Sequence, residues 1–505
     1  MSKATLIPGE LVTIVIKVNG NTIPDTYNTS SIYIDQAINK ISTAEIILLD
    51  GSSSKEDFVV SSADILIPGQ PITIDVGYDN KTTLLFKGII TKQSLNVNDT
   101  EGPSLTVTCK DEAVKMTVGR KSKSTSKAKD SDVISSLIGN YSGLSSNVSA
   151  TENTLDIIVQ NYCTDWDFMI ARAEVNSMLV STINGKVSVF KPDTNTSSVI
   201  NICFGVNMHS FEADLYSVSQ LSKVEASAWD YKSQKVIKGD ASNTISGPGN
   251  ISSKKLSEVV NLSTYELQTS AAETDQELKT WATGQMVKSE FSKIMGEVTF
   301  QGSSTVTAGS YITISGMGTR FNGDHFVSRV EHDVSDGNWI TTAHIGMSPL
   351  WFTQEPDVMA PPASGLLPGI QGLYNGTVKK IYDDPNNQFR ILVDLPLLDP
   401  SGEGLWARLT NLYSSNGFGY FFLPEVGDEV IVGFINDDPR YPTILGSVYS
   451  SGRKPYSEFS PNEKNSLKGI VTKSETRVVF NDEKKIITIT TPGNNQIVLD
   501  DDAKK

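Results

Sequence analysis

Two acidic pairs, Asp428-Glu429 and Asp437-Asp438, flank the apolar run EVIVGFI. Paired carboxylates serve general acid–base chemistry or a divalent cation, provided that they converge on one point. Here each pair falls at the end of a strand pattern. Gly427 precedes the first pair. The second belongs to NDDP (436–439), where Asn and Asp bond their own backbone and the pre-proline residue is pushed out of helical space. The four acids therefore read as turn and edge residues, not as a convergent site. The histidines, His209, His325, His332 and His344, come with no HExxH and no cysteine partner. His325 and His332 are an odd number of positions apart, so a regular strand sends them to opposite faces. There is no GxSxG elbow and no Walker motif, and SGMGTR (315–320) follows a strand with no helix after it. No catalytic residue, cofactor site or metal site is expected.

Charge narrows the partners. The 505 residues carry a net charge of −15, which argues against nucleic acid, because phosphate binding needs a basic face. The one basic run, RKSKSTSKAK (120–129), has no aromatics and reads as a solvated loop. Cys109, Cys163 and Cys203 are odd in number and widely spaced, with no CxxC, which argues against a disulfide framework and a zinc site. Together with an N-terminus, LVTIVIKV, that alternates like a strand and not like a signal peptide, they imply synthesis in the cytosol.

The elements that would carry any site are mainly β. LVTIVIKV (11–18), AEIILLD (44–50), PITIDVGY (71–78), TLLFKGIITK (83–92) and SLTVTCKD (104–111) are short β-branched runs bounded by turn residues. Such spacing predicts antiparallel sheet closing into barrels or sandwiches. Helices are expected at 130–143, at 163–178 with Thr164 as the cap, and at 273–294. Residues 178–192 read as a hairpin with Asn184-Gly185 at its turn. Further strands are expected at 296–301, 310–315, 326–332 and 339–352. Proline-rich 356–373 and polar 450–466 read as linkers.

Between those linkers the residues carry a resemblance. Gly376-x-Val378, Asp384-Pro385, Arg390-x-x-Val393, Trp406-x-Arg408, Phe422-x-Pro424, Gly427-Asp428-Glu429-Val430, Gly433-Phe434, Asp438-Pro439 and Pro442-x-x-Leu445-Gly446 resemble, in order and spacing, the OB-fold module of VgrG-type spike proteins. Upstream, TRFNGDHFVSRVEHDVSDGNWIT and TDWDFMIARAEVNSMLV are similar to the hub-like half of that family. Where members often show Glu-Glu-Gly, this chain has Glu174-Val175-Asn176-Ser177.

The resemblance implies a domain series: a hub-like region at 1–355 with two barrel-like domains and inserted helices, a linker at 356–373, an OB-fold neck at 374–449, a linker at 450–466, and at 467–505 the start of a triple-stranded intertwined β-helix. It implies a non-enzymatic homotrimer at the tip of a contractile injection machine: a type VI secretion system, a phage-tail-like extracellular system or a phage baseplate. The partners implied are the tail-tube protein, baseplate proteins, a PAAR-repeat tip protein, effector cargo and, on firing, the target-cell membrane, with the particle exported. Gly376, Gly427, Asp428 and Pro442 are expected to build the OB turns. Tyr420, Phe421 and Phe422 are assigned to the core or to trimer contacts, since the positive charge for base stacking is missing. About 15 linker residues before the last segment are too few for an inserted enzyme domain.

The last segment supports the trimer independently. Ile487 and Ile489 face one way and Thr488 and Thr490 the other, and Ile497 and Leu499 repeat the pattern after PGNN. So few apolar groups cannot bury an interior alone, whereas three intertwined copies close every edge. Asp500-Asp502 would then cluster near the axis, where the strands splay, a cation binds or the tip partner supplies positive charge, unless they belong to a solvated tail. The competing readings are an OB-bearing adhesin or glycan-binding module, and a cell-wall hydrolase on a β scaffold.

Overall fold

The period-2 runs become strands in the computed structural model, which describes residues 11–98, 102–193, 196–230, 235–243, 247–269, 274–355, 371–396, 402–435 and 441–503. The 356–370 stretch and the NDDP turn with Asp437 and Asp438 lie outside them. The chain forms two compact units, Met1–Met359 and Ala360–Lys505.

The first unit opens with strands β1 (Val12–Val18), β2 (Asn21–Thr22), β3 (Thr29–Ala37), β4 (Thr43–Leu49), β5 (Pro71–Tyr78), β6 (Lys81–Asn96) and β7 (Ser104–Lys110). A helical segment follows: β8 (Lys121–Ala128), α1 (Asp130–Gly139), β9 (Ser145–Val148), β10 (Leu155–Cys163), α2 (Asp165–Val175) and the hairpin β11 (Leu179–Ile183) and β12 (Lys186–Phe190). Then come β13 (Ile200–Cys203), β14 (Met208–Leu215), β15 (Lys223–Asp230), β16 (Lys235–Ser242), α3 (Ser253–Ser257), β17 (Tyr265–Thr269) and α4 (Asp275–Phe291). Strands β18 (Ile294–Gln301), β19 (Tyr311–Ser315), β20 (Gly323–Ser335) and β21 (Asn338–Ile345) complete it.

Thirteen of these strands share one sheet, whose main path runs β14-β18-β21-β20-β3-β4-β7-β6-β5-β1-β2. Two cores are strung on it. Ile16, Ile32, Ile74 and Phe86 build one with Val334 and Trp339; Val298, Phe300 and Ile312 build the other with Val327 and Ala343. Strands β20 and β21 therefore run from one core into the next. The long-range pairing that joins them is antiparallel β3 to β20, Ile32 facing Val334.

Local signals position the helices. The Thr164 hydroxyl accepts from the Asp167 N–H at 3.0 Å at the start of α2. At α4, Thr274 and Glu277 form a reciprocal capping box. Its apolar side covers the sheet β16-β15-β17 through Leu278, Ala282 and Met286 against Val224, Ala226 and Ala228. Asn184 and Gly185 both take positive φ in the β11–β12 turn, as a two-residue hairpin loop requires. Residues after Ile345 leave the expected strand and reach a short 3₁₀ turn at Phe352–Gln354.

The basic run needs correction. It is strand β8, paired antiparallel with β10, and not a loop. Its Lys-Ser alternation already has the period of a strand. Lys121 is held at 2.6 Å by the buried Asp165 carboxylate, which also accepts from the Tyr141 hydroxyl at 2.7 Å.

The second unit begins with a closed five-stranded barrel, order β22 (Tyr374–Lys380), β23 (Ile391–Asp394), β24 (Leu405–Leu409), β26 (Pro442–Ser447), β25 (Glu429–Phe434). Val378, Ile391, Val393, Ala407, Val430, Val432 and Ile444 fill it. An antiparallel meander follows: β27 (Leu467–Val471), β28 (Arg477–Asn481), β29 (Ile486–Thr490) and β30 (Gln496–Asp500).

Candidate functional site

No group of three or more histidine, cysteine and acidic side chains among the described residues is placed to hold a metal. The two strand histidines show why chemistry is not built there. Both lie on β20, but a bulge between Val327 and Arg329 changes the parity of the strand. Val327 and Val330 pack in one cluster, so His325 and His332 share the buried side instead of opposing each other. Burial holds the His325 imidazole down to about 4 and that of His332 down to about 3. Each has a local partner: the Phe321 carbonyl at 2.8 Å from His325 Nε2, and the Thr341 hydroxyl at 3.0 Å from His332 Nδ1. They are neutral core residues.

The first acidic pair is structural as well. Asp428 Oδ2 accepts from the Glu425 N–H at 2.9 Å and Oδ1 from Arg453 Nη1 at 2.9 Å, closing the turn before β25, where Gly427 has φ +87. Pro442 is buried at the first position of β26, facing Phe434. Gly376 departs from the expected turn role. It sits inside β22 opposite Val430, and a Cβ there would lie 2.5 Å from Val393 Cγ1. Its hydrogen lets two barrel walls approach. In the loop after β22, Asp384 accepts three backbone N–H groups and the Arg390 guanidinium. Arg390 holds that carboxyl well below the usual carboxylate range.

The meander has two unlike faces. The register stacks Ile470, Val478, Ile489 and Ile497 in one row and Phe480, Ile487 and Leu499 in the next. Ile470, Phe480, Ile489, Ile497 and Leu499 are all exposed. On the opposite face the preceding segment folds back. The Phe459 ring fills the space a side chain at Gly469 would need, and Arg477 donates to the Tyr456 hydroxyl at 3.4 Å. Among the described residues from Leu467 on, only Thr490 is buried. The chain itself covers one face only over β27 and β28, leaving Val498 on β30 exposed, and the other, the apolar one, is largely bare. Asp500 accepts from the N–H groups of Asp502 and Ala503 and so caps the last turn.

In the aromatic run between β24 and β25 the core alternative fails and the trimer-contact alternative stands: Tyr420, Phe421 and Phe422 are all exposed, with Leu412, Tyr413 and Phe418 beside them. The missed signal is the absence of any charge from Asn411 to Pro424.

Comparison with known proteins agrees with this architecture. The family model for the Alg8 N-terminal domain matches residues 8–336, and that for the type VI secretion system/phage-baseplate injector OB domain matches 374–449. Among curated relatives are two type VI secretion system spike proteins of Pseudomonas aeruginosa. VgrG4b is 32% identical over 74 residues, 14% of this chain and 9% of that protein; VgrG1b is 27% identical over 124 residues, 23% and 17%. This chain thus aligns with only a small part of either. Among solved structures, the 43 kDa tail protein of prophage MuSo2 from Shewanella oneidensis superimposes with TM-score 0.51 and a tail protein from Neisseria meningitidis with 0.50. Each is 12% identical and covers 67% of this chain and 98% of its own, which shows the fold. Among the described residues no helix is long and apolar enough to cross a membrane. A large sheet unit, a closed barrel over the residues that match the injector OB model and a meander with an exposed apolar face occur together, and the chain belongs to the Alg8 N-terminal domain family, with the resemblance to VgrG-type spike proteins shown by its relatives.

Proposed function

We propose that this protein is the structural spike and central hub of a contractile injection machine, acting as a homotrimer. The observation that carries the reading is the meander: a sheet that buries almost nothing within its own chain and leaves a two-row apolar face open. Three copies intertwined through that face supply the missing interior, and cyclic association ends at the intended size. In this reading the first unit forms the ring that meets the tail tube and baseplate, the barrel is the neck, and the closed β shaft carries a PAAR-repeat tip. The work is mechanical. Contraction drives a narrow, edge-free rod against a membrane, and no catalytic group is required.

Mass photometry of the purified full chain tests this. Wild-type protein is expected at three times the 54.8 kDa of one chain. Ile489→Asp places three carboxylates in the shared interior, where unpaired charge is strongly disfavoured, and should run as single chains with the first unit's thermal transition unchanged. A monomeric wild type, or a fully trimeric Ile489→Asp, overturns the proposal.

A further inference from the structure

The aromatic stretch after β24 is ordered and outward-facing. Tyr420 N–H donates to the Tyr413 carbonyl at 2.8 Å and Ser415 N–H to the Phe418 carbonyl at 2.9 Å. These bonds fold Leu412–Phe422 into a tight arm. Leu412 is 93% and Phe421 76% exposed. The barrel interior is complete without them, since none of Leu412, Tyr413, Phe418, Tyr420, Phe421 and Phe422 belongs to its core cluster. Four or five half-exposed aromatic rings amount to roughly 500 Å² of apolar surface, at the upper end for a patch left bare on a monomer.

The topology puts a second apolar feature at the same barrel end. Strand β24 runs antiparallel to β23, and β23 antiparallel to β22, so β22 and β24 point the same way and end together. The loops that follow them leave from the same barrel end, with β23 between them. The loop after β22 presents Phe389, 86% exposed and at φ +57, a backbone state that a bulky residue seldom takes. Asp384 and Arg390 clamp that loop, and exposed Tyr382 stands at its start.

We infer that the arm of one copy seats on the Tyr382–Phe389 loop of the next copy, so that three barrels clasp one another head to tail. Four observations select this occupant. A cyclic trimer is heterologous, so each copy must offer two different complementary patches, and this barrel end has two. The chain carries −15, so copies repel except where charge is absent, and Asn411–Pro424 is uncharged. An anionic lipid surface or a nucleic acid would call for basic residues; the arm has none and is followed by Glu425, Asp428 and Glu429. Finally, the arm adjoins the meander. Lys473 in the β27–β28 turn pairs with Glu425 at 3.1 Å, so the clasp would continue the interface proposed there.

This inference rests on the trimeric reading, and the test separates the two. The full chain is made as wild type, as a Tyr420→Ser/Phe421→Ser/Phe422→Ser variant, and as Phe389→Cys/Phe421→Cys with both single-cysteine controls. The triple-serine trimer is expected to dissociate on dilution at a protein concentration about tenfold or more above wild type, as for loss of a buried aromatic anchor, with the barrel melting unchanged. Mild oxidation of the double-cysteine variant should give covalent trimers that neither single variant gives. A monomeric wild type removes the trimeric reading altogether. A trimeric wild type whose serine variant dissociates no earlier overturns the clasp alone. So does a double-cysteine variant that yields no covalent trimer or closes within one chain. Binding of wild type, and not of the serine variant, to neutral phosphatidylcholine vesicles with trimers unaffected would assign the arm to lipid and also overturn it.

Discussion

Lys288 and Glu174 make the most exposed claim about the first unit. The ammonium and carboxylate meet at 2.7 Å with both side chains buried, and they join α2 to α4. Lys288 also donates to the Leu350 carbonyl at 2.7 Å and lies 5.2 Å from the centre of the Trp351 ring. Glu174 Oε2 accepts the Phe352 N–H at 2.7 Å. Lys288→Met leaves Glu174 charged, buried and short of its cation. Breaking a buried pair in this way costs about 3–5 kcal/mol. At about 2 °C per kcal/mol for a unit this large, the first thermal transition should fall by roughly 6–10 °C. Glu174→Gln should cost less, because Lys288 keeps a carbonyl and an aromatic face while the new amide oxygen can still accept from Phe352. The double variant Glu174→Gln/Lys288→Met removes both charges and should recover most of the loss. Differential scanning calorimetry of the full chain gives all four values. Equal losses in the double variant and in Lys288→Met, or strictly additive single losses, would falsify the reasoning, since additivity means that the charges do not interact.

Gly376→Ala should destabilise the barrel by about 1–3 kcal/mol, because the new methyl overlaps the Val393 side chain; differential scanning calorimetry of the full chain reads it as a fall in the barrel's own transition. Asp384 has its pKa depressed in the folded barrel, so its contribution is present above the unfolded carboxylate value of about 4 and is lost as pH falls below it. The wild-type barrel should therefore lose stability on acidification, while Asp384→Asn is weaker at neutral pH and converges with wild type in acid. Cys109 is buried, which pushes its thiol up to about 12, so a thiol reagent at pH 8 should spare it in folded protein and reach it only on unfolding.

What the sequence makes legible here is local. The Thr164 cap and the Asn184-Gly185 turn act within a few residues, and each is found where its chemistry puts it. The alternation of Ile487, Ile489, Ile497 and Leu499 is likewise readable, since a strand of period 2 sorts its side chains without help from the rest of the fold. Three features were not readable, for three reasons. The bulge on β20 has no glycine or proline to mark it, and it moves His325 and His332 to one side. The partner of β8 is β10, and only that pairing turns a polar Lys-Ser run into sheet. The aromatic arm has apolar residues with no period, and composition alone does not separate core from outward contact.

The joining of β3 to β20 has a kinetic consequence. The Tyr33 hydroxyl donates to Glu331 at 2.5 Å across 298 residues of sequence. On a ribosome adding about 5–20 residues per second, β3 waits roughly 15–60 s for that neighbour. Throughout the wait one side of β3 is an open row of hydrogen-bonding groups, ready to pair with any strand that arrives first. Nascent chains stalled before Gly323 should thus be sticky and chaperone-dependent, whereas release past Ser335 seals the edge; premature termination would be more harmful to solubility than most substitutions in the finished molecule.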